Sequence, residues 1–187
     1  ASPLGAQTPP PEPLARFDVT ALVGWLSARK QYEHFADWDQ SVYGGAAVGW
    51  YWTDHLKTEV EAGASTQSEK RTFETSFVGG YPVSRDVVFQ YSTRRLGLGQ
   101  QYQFYRNAMF HPYVGAGAEL TWETTDRQSG LFTGMPVDRS HVRELVTRPY
   151  LATGFKAYVS SSAFFRGHVK VAFRSGRDGV LLRFGFG

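Results

Sequence analysis

Charged side chains recur at every second position of otherwise apolar stretches in this 187-residue chain. Lys57, Glu59 and Glu61 alternate with Leu56, Val60 and Ala62, and Arg166, His168 and Lys170 alternate with Phe165, Val169 and Val171. Asp18, Arg95, Glu119, Glu123, Glu144, Arg148, Lys156 and Arg183 take the same alternate positions in stretches of their own. On an extended chain a spacing of two puts such residues on one face. Opposite charges gathered on a confined face pair, because an unpaired charge away from water is costly. The chemistry predicted is a polar network of ion pairs or, where room is left, a path for ions or a small solute. The histidines His34, His55, His111, His141 and His168 show no metal-binding spacing. None stands beside a serine and an acid in a pattern that would build a nucleophile. No catalytic residue, metal site or cofactor is therefore expected. Gly97-Leu98-Gly99 and Gly115-Ala116-Gly117 look like phosphate loops in isolation, but no helix follows either, and strand glycines are the reading adopted.

The elements that must position these residues read as β-strands. Phe17, Val19, Ala21, Val23 and Trp25 alternate with Asp18, Thr20, Leu22, Gly24 and Leu26. Further strands are predicted over 41–53, 56–64, 91–105, 110–123, 143–159, 165–174 and 180–186. Segments 30–40, 65–90 and 124–142 read as long polar loops, the second with an ambiguous strand over 72–78. The remaining connections are short turns at 54–55, 106–108, 160–162 and 176–179. Long and short connections thus alternate along most of the chain, as in an up-and-down barrel.

Composition bounds the alternatives. With 42% hydrophobic and 16% aromatic residues the chain carries enough apolar surface to fold. It has no cysteine, which excludes disulfides and thiolate chemistry. The net charge of +3 is spread along the chain without a Lys/Arg run, so no nucleic-acid partner is expected. No apolar stretch reaches the length of a spanning helix, and a membrane crossing would require a closed barrel. Residues 1–15, with Pro9, Pro10, Pro11 and Pro13, form a proline-rich tail without a core of its own. Residues 16–187 form the second unit, a barrel domain. The opening Ala1-Ser2-Pro3 is compatible with a mature N-terminus after signal removal.

Three features point to a membrane barrel: the alternating connections, strands of about ten residues, which span the apolar band of a bilayer, and aromatics near strand ends. Trp50, Trp52, Tyr102, Phe104, Phe110, Phe164 and Phe184 are assigned to one interfacial girdle, and Trp25, Tyr91 and Trp122 to the other. The fold class predicted is all-β, an eight-stranded antiparallel up-and-down transmembrane barrel, with the charged set as a lumen network.

Four segments carry a family resemblance: Gly44-Gly45-Ala46-Ala47-Val48-Gly49-Trp50-Tyr51-Trp52, Tyr102-Gln103-Phe104-Tyr105-Arg106-Asn107, His111-Pro112-Tyr113-Val114-Gly115-Ala116-Gly117, and Leu182-Arg183-Phe184-Gly185-Phe186. Over residues 16–187 the chain resembles the small outer-membrane β-barrel superfamily, the OmpA-barrel and OmpX-like porin-family proteins. The resemblance implies residence in a bacterial outer membrane among lipid and lipopolysaccharide. It implies a non-enzymatic anchor or interaction protein, meeting a protein partner through its outer loops or periplasmic tail. Family members usually end on an aromatic residue, whereas this chain ends on Gly187, just after Phe186. A narrow porin-like channel is the alternative. A soluble ligand-binding barrel of lipocalin type would need the inverse assignment of faces. A lipid-modifying barrel enzyme would need a histidine-serine motif that this sequence lacks.

Overall fold

In a computed structural model, residues 16–31, 36–104, 109–131, 138–160, 162–174 and 177–187 are described. The tail over 1–15 and the tight turn expected at 106–108 lie outside the described residues. Nine strand segments are present: β1 (Phe17–Gln31), β2 (Ala36–Tyr51), β3 (Leu56–Ser65), β4 (Ser68–Val78), β5 (Tyr81–Gln103), β6 (Phe110–Leu131), β7 (Asp138–Tyr158), β8 (Phe164–Phe173) and β9 (Arg177–Phe186). Every pairing is antiparallel between chain neighbours, and two further pairings, β1 with β9 and β3 with β5, close the ring.

β3 and β4 are two parts of one stave, so the nine segments make an eight-stave barrel. Ala64 pairs with Arg94 and Ser68 with Tyr91, which leaves Ser65, Thr66 and Gln67 opposite only Ser92 and Thr93. This is a β-bulge, where one strand carries an extra residue. Ser65 Oγ accepts from the Thr93 amide at 3.0 Å, and the Thr66 amide donates to the Val42 carbonyl at 2.7 Å. Past the bulge the stave leaves β2 and keeps β5 alone, and its outward residues change from even to odd numbers.

Which face is outside is decided by exposure. Val60 is 46% exposed, while its neighbours Glu59 and Glu61 are 4% and 5% exposed. The same inversion holds on each stave: Phe17, Val19, Val23 and Trp25 face outward, and Leu98, Val114, Leu151 and Leu182 do likewise. An apolar exterior round a charged interior is stable only where hydrocarbon surrounds it. The closed ring leaves no strand edge unpaired in that region.

The long loops expected at 30–40, 65–90 and 124–142 are largely strand. β5, β6 and β7 have 23, 22 and 21 residues, about twice the 9–11 residues a bilayer requires. Their surplus, with β4, forms a four-stranded sheet that continues the barrel wall. β7 pairs with β8 only from Tyr150 onward, so this sheet stands beyond the rest of the rim. The sequence signal fails there for a physical reason. Beyond the bilayer the outward face meets water and its apolar residues thin out. Val87, Phe89 and Tyr91 still bury the inward face, but from 81 to 86 no residue is buried, while the backbone ladder continues.

Candidate functional site: the lumen and the two surfaces of the wall

Inward residues from all eight staves meet along the barrel axis. At the end near the β2–β3 turn, Asp18 accepts from Lys57 at 3.3 Å, from Tyr51 Oη at 2.8 Å, and from Lys156. Lys57 also donates to Glu59 at 2.6 Å. Glu59 is held by a two-pronged Arg166 guanidinium, with Nη1 and Nη2 at 2.7 and 2.9 Å from its oxygens. Such forked pairs fix geometry as well as charge.

Above this pair, Arg166 Nε donates to Tyr113 Oη at 2.6 Å, and Tyr113 Oη lies 2.7 Å from His168 Nδ1. His168 Nε2 lies 2.7 Å from Arg183 Nη2. A guanidinium only donates, so Nε2 accepts. Arg183 pairs with Glu61, which also accepts from Tyr43 Oη at 2.8 Å. Lys170 bridges Glu61 and Glu119, and Arg95 donates to Glu119 at 2.9 Å. The last pair is Arg148 with Glu123 at 2.7 Å.

Of the network residues expected from sequence, Asp18, Lys57, Glu59, Lys156, Arg166, His168, Arg183, Glu61, Lys170, Glu119 and Arg95 thus form one continuous chain of contacts. Arg148 and Glu123 form a further pair. Glu144, given to the same inward face, is half-exposed and pairs with Arg174 beyond the rim at 2.7 Å.

Tyrosines that the sequence reading left out of the network fill the space between these charges. Tyr43, Tyr51, Tyr113 and Tyr150 all point inward, Lys170 lies 4.5 Å over the Tyr150 ring, and Lys156 lies 5.3 Å over Tyr51. Room for the rings comes from inward glycines. A Cβ on Gly117 would fall 2.7 Å from Tyr150 Oη, and one on Gly63 would fall 2.5 Å from Tyr43 Cζ. Strand parity was the available signal: each tyrosine lies an even number of residues from an inward partner on its own stave.

On the outer surface, Trp25, Trp50, Trp52, Tyr102, Phe104, Phe110, Trp122 and Phe184 are all exposed. Phe155 and Phe165, absent from the expected girdle, link it across staves: centroids run from Phe110 to Phe155 at 5.3 Å, to Phe165 at 6.4 Å, and to Phe184 at 6.0 Å. Two girdle expectations are corrected. Tyr91 is 7% and Phe164 3% exposed, and both point inward. Tyr91 shares the parity of Arg95 and stacks on Phe89, and Phe164 shares that of Arg166 and lies under the Lys156 ammonium at 4.5 Å.

Beyond the membrane band, Arg71 donates to Glu69 at 2.8 Å, and this bond, with a second from Gln90, holds the Glu69 carboxyl below its ordinary value. His141 Nδ1 pairs with Asp126 on the outward face of β6 and β7. Among the described residues no hydroxyl hydrogen-bonds to that ring, and no cluster of metal ligands occurs.

No family model and no curated protein matches the sequence. Solved structures do. The N-terminal β-barrel domain of Pseudomonas aeruginosa OprF aligns over 90% of this chain and 94% of its own, at 14% identity and a TM-score of 0.52. Neisserial surface protein A aligns over 91% of this chain and 96% of its own, at 11% identity and a TM-score of 0.57. The chain has the fold of the small outer-membrane β-barrels. That fold explains the division of the barrel's residues into a lipid-facing apolar wall, a charged lumen and a sheet beyond the rim.

Proposed function

We propose that this barrel is a non-enzymatic outer-membrane anchor that holds its β4–β7 sheet clear of the bilayer to meet partner molecules. The observation that carries this reading is a contrast between lumen and rim. The lumen is occupied by ion pairs and tyrosine rings, whereas the longest staves are spent outside the bilayer, where they add nothing to the crossing. Lipid and lipopolysaccharide are the partners of the wall. Arg94 and Arg143 are exposed at the top of the apolar band beside Trp122, with no carboxylate partner among the described residues, which suits anionic headgroups. The proline-rich tail over 1–15 is the periplasmic counterpart, a tether for a protein partner. A narrow eight-strand barrel has little room once side chains fill it, so the porin-like alternative is not favoured. Catalysis is not favoured either, since no hydroxyl among the described residues hydrogen-bonds to the exposed His141–Asp126 pair. Planar-bilayer recording tests the plug: purified protein is expected to add no steady conductance. A reproducible ohmic step that changes when Glu59 or Arg166 is substituted would replace the anchor by the channel.

A further inference from the structure

Three buried donors near the outer mouth of the lumen have no hydrogen-bond partner among the described residues: Arg95 Nε, Arg148 Nε and the Thr121 hydroxyl. The three residues are 5%, 6% and 0% exposed. Register brings them together. Arg95 faces Thr121 across β5 and β6, and Arg148 faces Glu119, the inward residue below Thr121, across β6 and β7. Arg95 Nη1 bonds Glu119 at 2.9 Å, whereas Arg148 Nη2 reaches up past Thr121 to bond Glu123 at 2.7 Å. Each guanidinium thus spends an Nη on a carboxylate and keeps its Nε near the level of Thr121. Directly opposed strand residues have Cβ atoms about 5 Å apart, so the hydroxyl stands between the two guanidiniums. Trp122, next in the chain, marks the top of the apolar band, which puts the cluster just inside the outer mouth.

The surroundings are cationic. Along the linked chain from Asp18 to Arg95, the cations Lys57, Lys156, Arg166, Arg183, Lys170 and Arg95 stand against the carboxylates of Asp18, Glu59, Glu61 and Glu119 alone. His168 adds no charge, since its Nε2 accepts from Arg183. Arg148 with Glu123 is a balanced pair. Cations therefore outnumber carboxylates among these described residues, in an interior where an uncompensated charge is costly. A water molecule would satisfy the donors but not the charge, and it would need acceptors for its own hydrogens. A guanidinium offers none. A halide accepts from all three groups and asks for no acceptor in return. The inward rings of Tyr91 and Tyr150, opposite Thr125 and Gly117, stand above and below the cluster, which suits a small ion rather than an extended one.

We propose that Arg95, Thr121 and Arg148 form a site for one small inorganic anion of the halide class, entered from the outer mouth. The site goes beyond the anchor reading and leaves the plug intact, because Lys170, Glu61 and Arg183 fill the axis below it. The probe is bromide. Crystals of the detergent-solubilised protein grown in sodium bromide are expected to show an anomalous peak within hydrogen-bond reach of both Nε groups and of Thr121 Oγ1. In solution, urea midpoints are compared in bromide and in gluconate at equal ionic strength. The parent chain should show a saturable increase in bromide. Thr121→Val should be at least as stable as the parent in gluconate, because it sheds a buried hydroxyl without a partner, and it should lose the bromide increase. A position that refines as water without anomalous signal would overturn the proposal, and so would an equal bromide response in parent and variant. Boiling-dependent gel mobility shows that each protein is folded before the comparison. Should the valine variant fail that check, the anomalous peak in the parent decides.

Discussion

Charge inside the barrel is held by pairs whose partners come from distant parts of the chain, and each pair makes a separate claim. Breaking the Glu59–Arg166 fork leaves a buried guanidinium without its carboxylate. Glu59→Gln should therefore cost about 3–5 kcal/mol in reversible urea unfolding. A Glu59→Leu, Arg166→Met double substitution should recover part of that loss, because the two charges of the fork leave together and Lys57 keeps Asp18 as a partner. Equal losses in single and double variants would contradict the pairing. His168 tests the same logic with opposite sign, since its ring lies between Arg166 and Arg183. His168→Gln, which can still accept a hydrogen bond, should be tolerated, whereas His168→Lys places a third cation there and should lower the unfolding midpoint sharply. An unchanged midpoint for the lysine variant would sink this account of the site. The ionic members were legible because alternation by two is strict wherever one face meets lipid. Tyr91 was harder to assign, since an aromatic ring suits a girdle as well as a lumen. Tyr91 and Phe164 show that parity decides the side when distance from a strand end does not.

At the scale of elements, the lesson lies in β4. Residues 65–90 resisted assignment because the bulge at Ser65–Gln67 exchanges the parity of the stave, and because Phe73 and Phe77 point outward where no lipid covers them. Pattern reading assumes one face in lipid, and that assumption ends at the rim. The ladder below does not depend on the ladder above. Thr72 pairs with Val87, so deleting 73–78 and 81–86 lets Gly79-Gly80 reseat as a turn between them. The shortened chain should keep its boiling-dependent gel shift, with an unfolding midpoint close to that of the parent. A chain that no longer folds would show that the protruding sheet helps to hold the barrel.

For the whole molecule, the central claim is an inversion: hydrocarbon outside, charge inside, on every stave. Closure and this inversion were legible from the sequence because eight stretches repeat one period. The height of the outer sheet was not, because backbone pairing continues where side-chain pattern stops. The most direct measurement is a single-cysteine nitroxide scan along β6 from Tyr113 to Thr124, with the protein in lipid bilayers and accessibility read against oxygen and a water-soluble nickel complex. The account predicts a period of two, with high oxygen accessibility at Val114, Ala116, Ala118 and Leu120 and low accessibility to both reagents at Tyr113, Gly117 and Glu119. Nickel accessibility should rise only near Thr124. Oxygen accessibility peaking at the odd positions, or no alternation at all, would contradict it.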